Sequence, residues 1–150
     1  MAHTYTSQLL HCVFSTKNRL PSIEPSWRPR LHAYLGGIAR ENDMTAVMVG
    51  GVADHVHILL RLPSTIALSK AMQLIKGGSS VWVHETFPHL QGFAWQEGYG
   101  AFSIGISQFD ATVAYIANQE EHHRAVSFQE EYRAFLKRHG IEDEERFIWG

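Results

Sequence analysis

Two apolar runs, residues 44–52 and 55–62, are separated only by Ala53 and Asp54. So short a connection joins neighbouring strands only as a hairpin, because parallel strands need a crossover of a dozen residues or more. The chain is thereby committed to an antiparallel sheet, with both runs expected as central strands. Residues 8–15, rich in Leu, Val and Phe, read as an earlier strand, and 17–29 as a polar connection. Leu31, Leu35 and Ile38 then recur at helical spacing until Asn42 and Asp43 stop the pattern.

Beyond the hairpin, Ser64 is placed to cap a long helix over 65–86, with Leu68, Met72, Ile75 and Trp82 along one side and a kink expected at Gly77-Gly78. Phe102, Ile104 and Ile106 alternate within a fourth strand expected over 95–106. Ser107 with Asp110, and Ser127 with Glu130, resemble the Ser-x-x-acid capping box; they open helices running to about His123 and over 128–139, where Gly140 supplies a stop. A length of 150 residues with 45% hydrophobic content suits one domain. The expectation is a single α+β domain, an antiparallel sheet with helices packed on it.

Composition excludes several classes. The longest uncharged apolar run, 44–53, is about half of what a membrane-spanning helix needs, and no basic-then-apolar pattern opens the sequence, so neither a membrane nor an export role is expected. One cysteine, Cys12, rules out an internal disulfide and fits a reducing, cytoplasmic setting. The net charge of -2 argues against a broad basic surface, although eight of the 15 acidic residues follow Gln119 and leave room for a local basic face. A short acidic tail occupies about 141–150.

His55-Val56-His57 lies in a strand-like run, so both imidazoles share one face while Val56, Ile58 and Leu60 share the other. One metal ion can touch both. Ten histidines make such a pair common by chance, and a structural role is the alternative; but two histidines on an apolar strand either face a polar pocket or carry a desolvation cost of a few kcal/mol. Tyr115 and Gln119, four apart on a helix, project into one space; taken on the helix alone they read first as a packed aromatic and a solvated residue, and the pair gains meaning only in combination with the histidines. Two imidazoles and an amide oxygen suit Mg²⁺ or Mn²⁺ and leave room for a phosphate. Lys70 and Lys76, in a polar stripe with Gln73 and Gly77, are candidates to meet phosphates, although the stripe reads first as a solvated helix face; Lys17 and Arg19 beside the first strand are candidates too, and read equally as a surface turn. Trp95, Tyr99 and Phe102 are either base-stacking or core aromatics. Of His122-His123, at most one is expected to act, since adjacent helical residues diverge.

The ordered combination of Asp54-His55-Val56-His57, Lys76-Gly77, Trp95-Gln96-Glu97-Gly98-Tyr99 and Tyr115-Ile116-Ala117-Asn118-Gln119 with His122-His123 resembles the single-tyrosine transposases of small bacterial insertion sequences, members of the wider HUH (His-hydrophobic-His) endonuclease group. The resemblance runs from about Tyr5 to Trp149. It implies a ferredoxin-like fold, cleavage and rejoining of single-stranded DNA at hairpin-marked ends, and a homodimer whose tyrosine helix can complete the partner's site. It matches Tyr115 to the nucleophile, His55 and His57 to the metal-binding pair and Gln119 to the third ligand, with a 5′-phosphotyrosine intermediate. Other readings are a domesticated repeat-associated nickase, a non-catalytic single-strand-binding module, and a metal-dependent phosphoesterase that leaves Tyr115 without a role.

Overall fold

The structure, a computed structural model, describes residues 3–142 and 148–149. Most of the acidic tail therefore lies outside the described residues. Four strands, β1 (Leu9–Ser15), β2 (Thr45–Gly51), β3 (His55–Arg61) and β4 (Gly100–Ile104), form one antiparallel sheet in the order β2-β3-β1-β4. Helix α1 (Arg28–Glu41) joins β1 to β2, and α2 (Leu68–Thr86) joins β3 to β4. This βαββαβ order is the ferredoxin-like arrangement. Helices α3 (Phe109–Ala117), α4 (Gln119–His122) and α5 (Phe128–Arg138) follow.

Period-two alternation divides the sheet into two chemically different faces. Cys12, Phe14, Val56, Ile58 and Leu60 point into the main core with Leu31 and Leu35 of α1 and Met72 and Ile75 of α2. The opposite face presents Leu9, His11, Val13, His57 and Leu59, and is covered by Ile116 of α3 and by Phe128, Tyr132 and Phe135 of α5. The terminal helices thus roof the histidine face. Gly50, paired with His57 in the sheet, lets α3 lie directly on β2, because any Cβ there would collide with the carbonyl oxygen of Ile116.

Several expectations are corrected. Run 44–52 is an edge strand, not a central one: β1 occupies the other side of β3, and the apolar residues of β2 are covered by α1 and α3 rather than by a second strand. Ser64 does not cap α2, which begins at Leu68 after a turn closed between Pro63 and Ile66. No kink interrupts α2; Gly78 instead admits Ile38 of α1, which would press within 3.1 Å of an added Cβ. The fourth strand is shorter than 95–106, with Trp95 making only an isolated bridge to Thr16 and Ile106 71% exposed outside it. The helix expected from Ser107 to His123 is split at Asn118, and its entry is fixed by Gln108, whose Oε1 accepts from the Gly105 N–H at 2.9 Å. The α5 cap is as expected: Ser127 Oγ accepts from the Glu130 N–H at 3.1 Å.

Lys76 explains where β4 begins. Its ammonium donates to the carbonyls of Gln96, Glu97 and Gly98 at 2.7, 3.0 and 2.6 Å, turning three acceptors away from the sheet. The position is therefore a brace between α2 and the loop before β4. Lys76→Met should lower Tm by about 5 °C, from the loss of about 2 kcal/mol of charge-assisted hydrogen bonding. A thermal melt that is unchanged, together with weakened DNA binding, would return Lys76 to the phosphate-contacting role.

Candidate active site

His55 and His57 are fully buried on β3 and point toward the terminal helices. Each ring is oriented from behind. The His55 Nδ1 lies 2.7 Å from Asp54 Oδ1, and the His57 Nδ1 lies 2.7 Å from Nε2 of His11, one strand over. Partners of this kind fix the tautomer and aim Nε2 forward. In front lies Glu131 of α5, 3% exposed, whose Oε1 sits 3.3 Å from His55 Nε2 and 2.9 Å from His57 Nε2. Its Oε2 is 3.1 Å from His122 Nε2 and 3.2 Å from His123 Nε2, and also accepts the Tyr115 hydroxyl.

Gln119, 1% exposed, opens α4 directly after the break at Asn118. Its Nε2 donates to the Tyr115 carbonyl at 3.1 Å, which turns Oε1 to His123 Nε2 at 3.0 Å and His55 Nε2 at 3.4 Å. Tyr115 stands edge-on to His57, ring centroids 5.8 Å apart, with its hydroxyl 3.1 Å from His122 Nε2. All four expected residues, Tyr115, His55, His57 and Gln119, thus meet within one chain. Both His122 and His123 reach the cluster, because the helix ends there and His123 lies past its last turn.

Burial and hydrogen bonding set the charge state. Burial pulls His57 down to about 4 and His11 down to about 3, so both are neutral near pH 7. His55 is raised: burial opposes the shift, but the hydrogen bonds to Asp54 and Glu131 outweigh it. Burial alone would raise the Glu131 carboxyl, yet hydrogen bonds from His123, His55 and His57 hold it far below the usual carboxylate range. The Tyr115 phenol is raised, by burial first and by donation to Glu131 second, and stays protonated in this arrangement.

The donor set is one that could hold a metal ion. Ligand atoms of His55, His57, His123 and Glu131 lie within 4.8 Å of one another, with the Gln119 oxygen beside them. A cavity of about 270 Å³ opens beside Tyr115, bordered by His11, Thr112 and Arg138, and another of about 490 Å³ lies beside Gln119, bordered by Arg28, His32 and Arg124. Both give the site an approach from solvent. The remaining candidates lie elsewhere: Lys17 and Lys70 are exposed, and Arg19 stacks over Trp149 with 5.2 Å to the ring centroid. Trp95 and Phe102 are core, 8% and 3% exposed, leaving only Tyr99 half-buried.

Reading by residue and motif did not find Glu131, His11 or Arg138. A signal for Glu131 existed: it falls among Phe128, Tyr132, Phe135 and Leu136, on the buried stripe of α5, where a carboxylate requires a partner.

A family model described as Transposase IS200 like matches residues 4–119. A transposase for insertion sequence element IS200 from Salmonella typhimurium is 27% identical over 110 residues, covering 70% of this chain and 72% of that protein; its Salmonella typhi counterpart matches equally. Two solved structures share the fold. One, a candidate transposase from Deinococcus radiodurans, has TM-score 0.65 and 24% identity, covering 79% of this chain and 96% of the other. The second, a REP-associated tyrosine transposase bound to a REP hairpin, has TM-score 0.61 and 17% identity, covering 84% and 74%.

Proposed function

The chain belongs to the IS200-like transposase family, and from that membership we propose that it cuts and rejoins single-stranded DNA at hairpin-marked ends, with Tyr115 as nucleophile. The observation that carries this reading is the meeting of Tyr115 with His55, His57 and Gln119 in one buried cluster. His55, His57 and Gln119 would hold Mg²⁺ or Mn²⁺, which when bound supplies Lewis-acid polarisation of the scissile phosphate. The phenol oxygen of Tyr115 would bond to phosphorus as the P–O bond to the 3′ oxygen breaks, leaving a 5′-phosphotyrosine and a free 3′-hydroxyl. Attack by a 3′-hydroxyl on that linkage reverses the step, so rejoining needs no nucleotide cofactor. Residues Asp54 and His11 orient the metal-binding rings, and Glu131 and His122 hold the phenol in register.

The substrate in this reading is single-stranded DNA carrying a hairpin; one structural neighbour is bound to a REP hairpin. Arg138 borders the cavity beside Tyr115, and Arg28 and Arg124 border the cavity beside Gln119; they would guide the strand past the site, with Lys17, Arg19 and Lys70 as outlying phosphate contacts. With a net charge of -2, recognition would depend on shape and exposed bases rather than on general phosphate attraction. In competition binding at physiological salt, a hairpin with a single-stranded flank should outcompete random duplex by about tenfold or more. Equal affinity would sink this substrate assignment. No described helix is long and apolar enough to cross a membrane.

Because Tyr115 already meets the histidines of its own chain, the homodimer implied by the resemblance would bring two complete sites together rather than build one between chains. Mixing Tyr115→Phe chains with His57→Ala chains should therefore restore no cleavage. Recovery of activity in the mixture would show that the tyrosine works on a partner. Paired hairpins in the DNA flanking the gene would mark a mobile element, and their absence a repeat-associated enzyme.

A further inference from the structure

We propose that Glu131 is itself a metal ligand, so that α5, which lies beyond the residues matched by the family, belongs to the metal site. The inference rests on the metal-dependent reading above. Its basis is geometric. Glu131 Oε1 lies 3.3 Å from His55 Nε2 and 2.9 Å from His57 Nε2. Neighbouring ligands of an octahedral ion with bonds of about 2.1 Å stand roughly 3 Å apart, so the carboxylate oxygen already has the spacing of an adjacent ligand to each imidazole nitrogen. Both Nε2 atoms face one oxygen because Asp54 and His11 hold the rings from behind.

Chemistry points the same way. A carboxylate 3% exposed on the apolar stripe of a helix is costly unless a cation compensates it, and among the described residues the ion-pair and hydrogen-bond partners of Glu131 are imidazoles and the Tyr115 hydroxyl. A divalent ion between Glu131 and the two histidines supplies that charge. Oε2 is free to stay on Tyr115, His122 and His123, so the same carboxylate would tie the nucleophile to the metal. The site then carries one formal negative charge and a hard oxygen, which favours Mg²⁺ or Mn²⁺ over softer ions more strongly than two histidines and an amide do.

The test is Mn²⁺ binding to the full chain, read from the loss of the free-ion electron paramagnetic resonance signal, on wild type, Glu131→Gln, Glu131→Asp and His57→Ala, with far-UV circular dichroism confirming the fold of each. Wild type should bind, and Glu131→Gln should bind at least about tenfold more weakly. Glu131→Asp separates coordination from mere charge: it keeps the carboxylate but withdraws it by one methylene, so a ligand loses affinity severalfold while a distant electrostatic partner does not. An Asp variant within about twofold of wild type, in a protein whose His57→Ala variant has lost binding, would overturn the role of Glu131 and leave the metal reading standing. Absence of Mn²⁺ binding by the wild type would overturn the metal reading itself. Should the Gln variant not fold, the Asp variant decides alone.

Discussion

Tyr115→Phe should eliminate the covalent protein–DNA adduct and lower cleavage by about 10³-fold or more, with the fold and hairpin binding retained. The aromatic ring of Tyr115 packs edge-on against His11, His57 and Phe135, contacts that Phe preserves. Only the hydroxyl is lost, with its bonds to Glu131 and His122, a change worth about 1 kcal/mol of stability. A merely structural tyrosine would not separate chemistry from folding in this way. Incubation with a hairpin oligonucleotide labelled on the 3′ side of the cut, followed by a denaturing gel, reads the adduct directly. An adduct persisting in the Phe variant would move the nucleophile to Tyr99 or Tyr132; Tyr132, 6% exposed and packed on Phe128, would first have to leave the core.

The second large effect is at His57. His57→Ala should abolish Mn²⁺ binding and cleavage together, as EDTA should in the wild type. Considered as one residue on a strand, the loss looks local. Its surroundings say otherwise, because His57 is fully buried and bonded at both ring nitrogens, to His11 and to Glu131. Truncation leaves a cavity and an under-compensated carboxylate, costing about 3 kcal/mol and lowering Tm by roughly 6–12 °C. Cleavage assays therefore belong well below the melting transition, with Tyr115→Phe as the folded control. Cleavage at wild-type rate in His57→Ala or in EDTA would remove the metal from the reaction.

Lys76 and Glu131 show how much of a side chain's surroundings residue type leaves open. A lysine on a polar helical stripe looks like a phosphate contact, yet three backbone carbonyls from a loop twenty residues later occupy its ammonium. A glutamate in the first turn of a capped helix looks like a solvated partner of the helix dipole, yet it faces four histidines. In both cases the residues that decide the role are distant in sequence.

What the sequence determined by itself is what depends on spacing within an element. The two-residue gap at Ala53-Asp54 dictated a hairpin and hence an antiparallel sheet; alternation put His55 and His57 on the face opposite Val56, Ile58 and Leu60; the interval of four brought Tyr115 and Gln119 together, even across the break at Asn118. These are properties of local geometry, and no other part of the chain can change them. Tertiary structure alone decided which faces meet. It made β2 an edge strand, brought His11 behind His57, let both His122 and His123 turn inward, and laid α5 over the histidine face so that Glu131 became the centre of the site. The physical reason is that apolar burial drives α5 onto the sheet through Phe128, Tyr132 and Phe135 without regard to the one carboxylate that the same stripe carries with it.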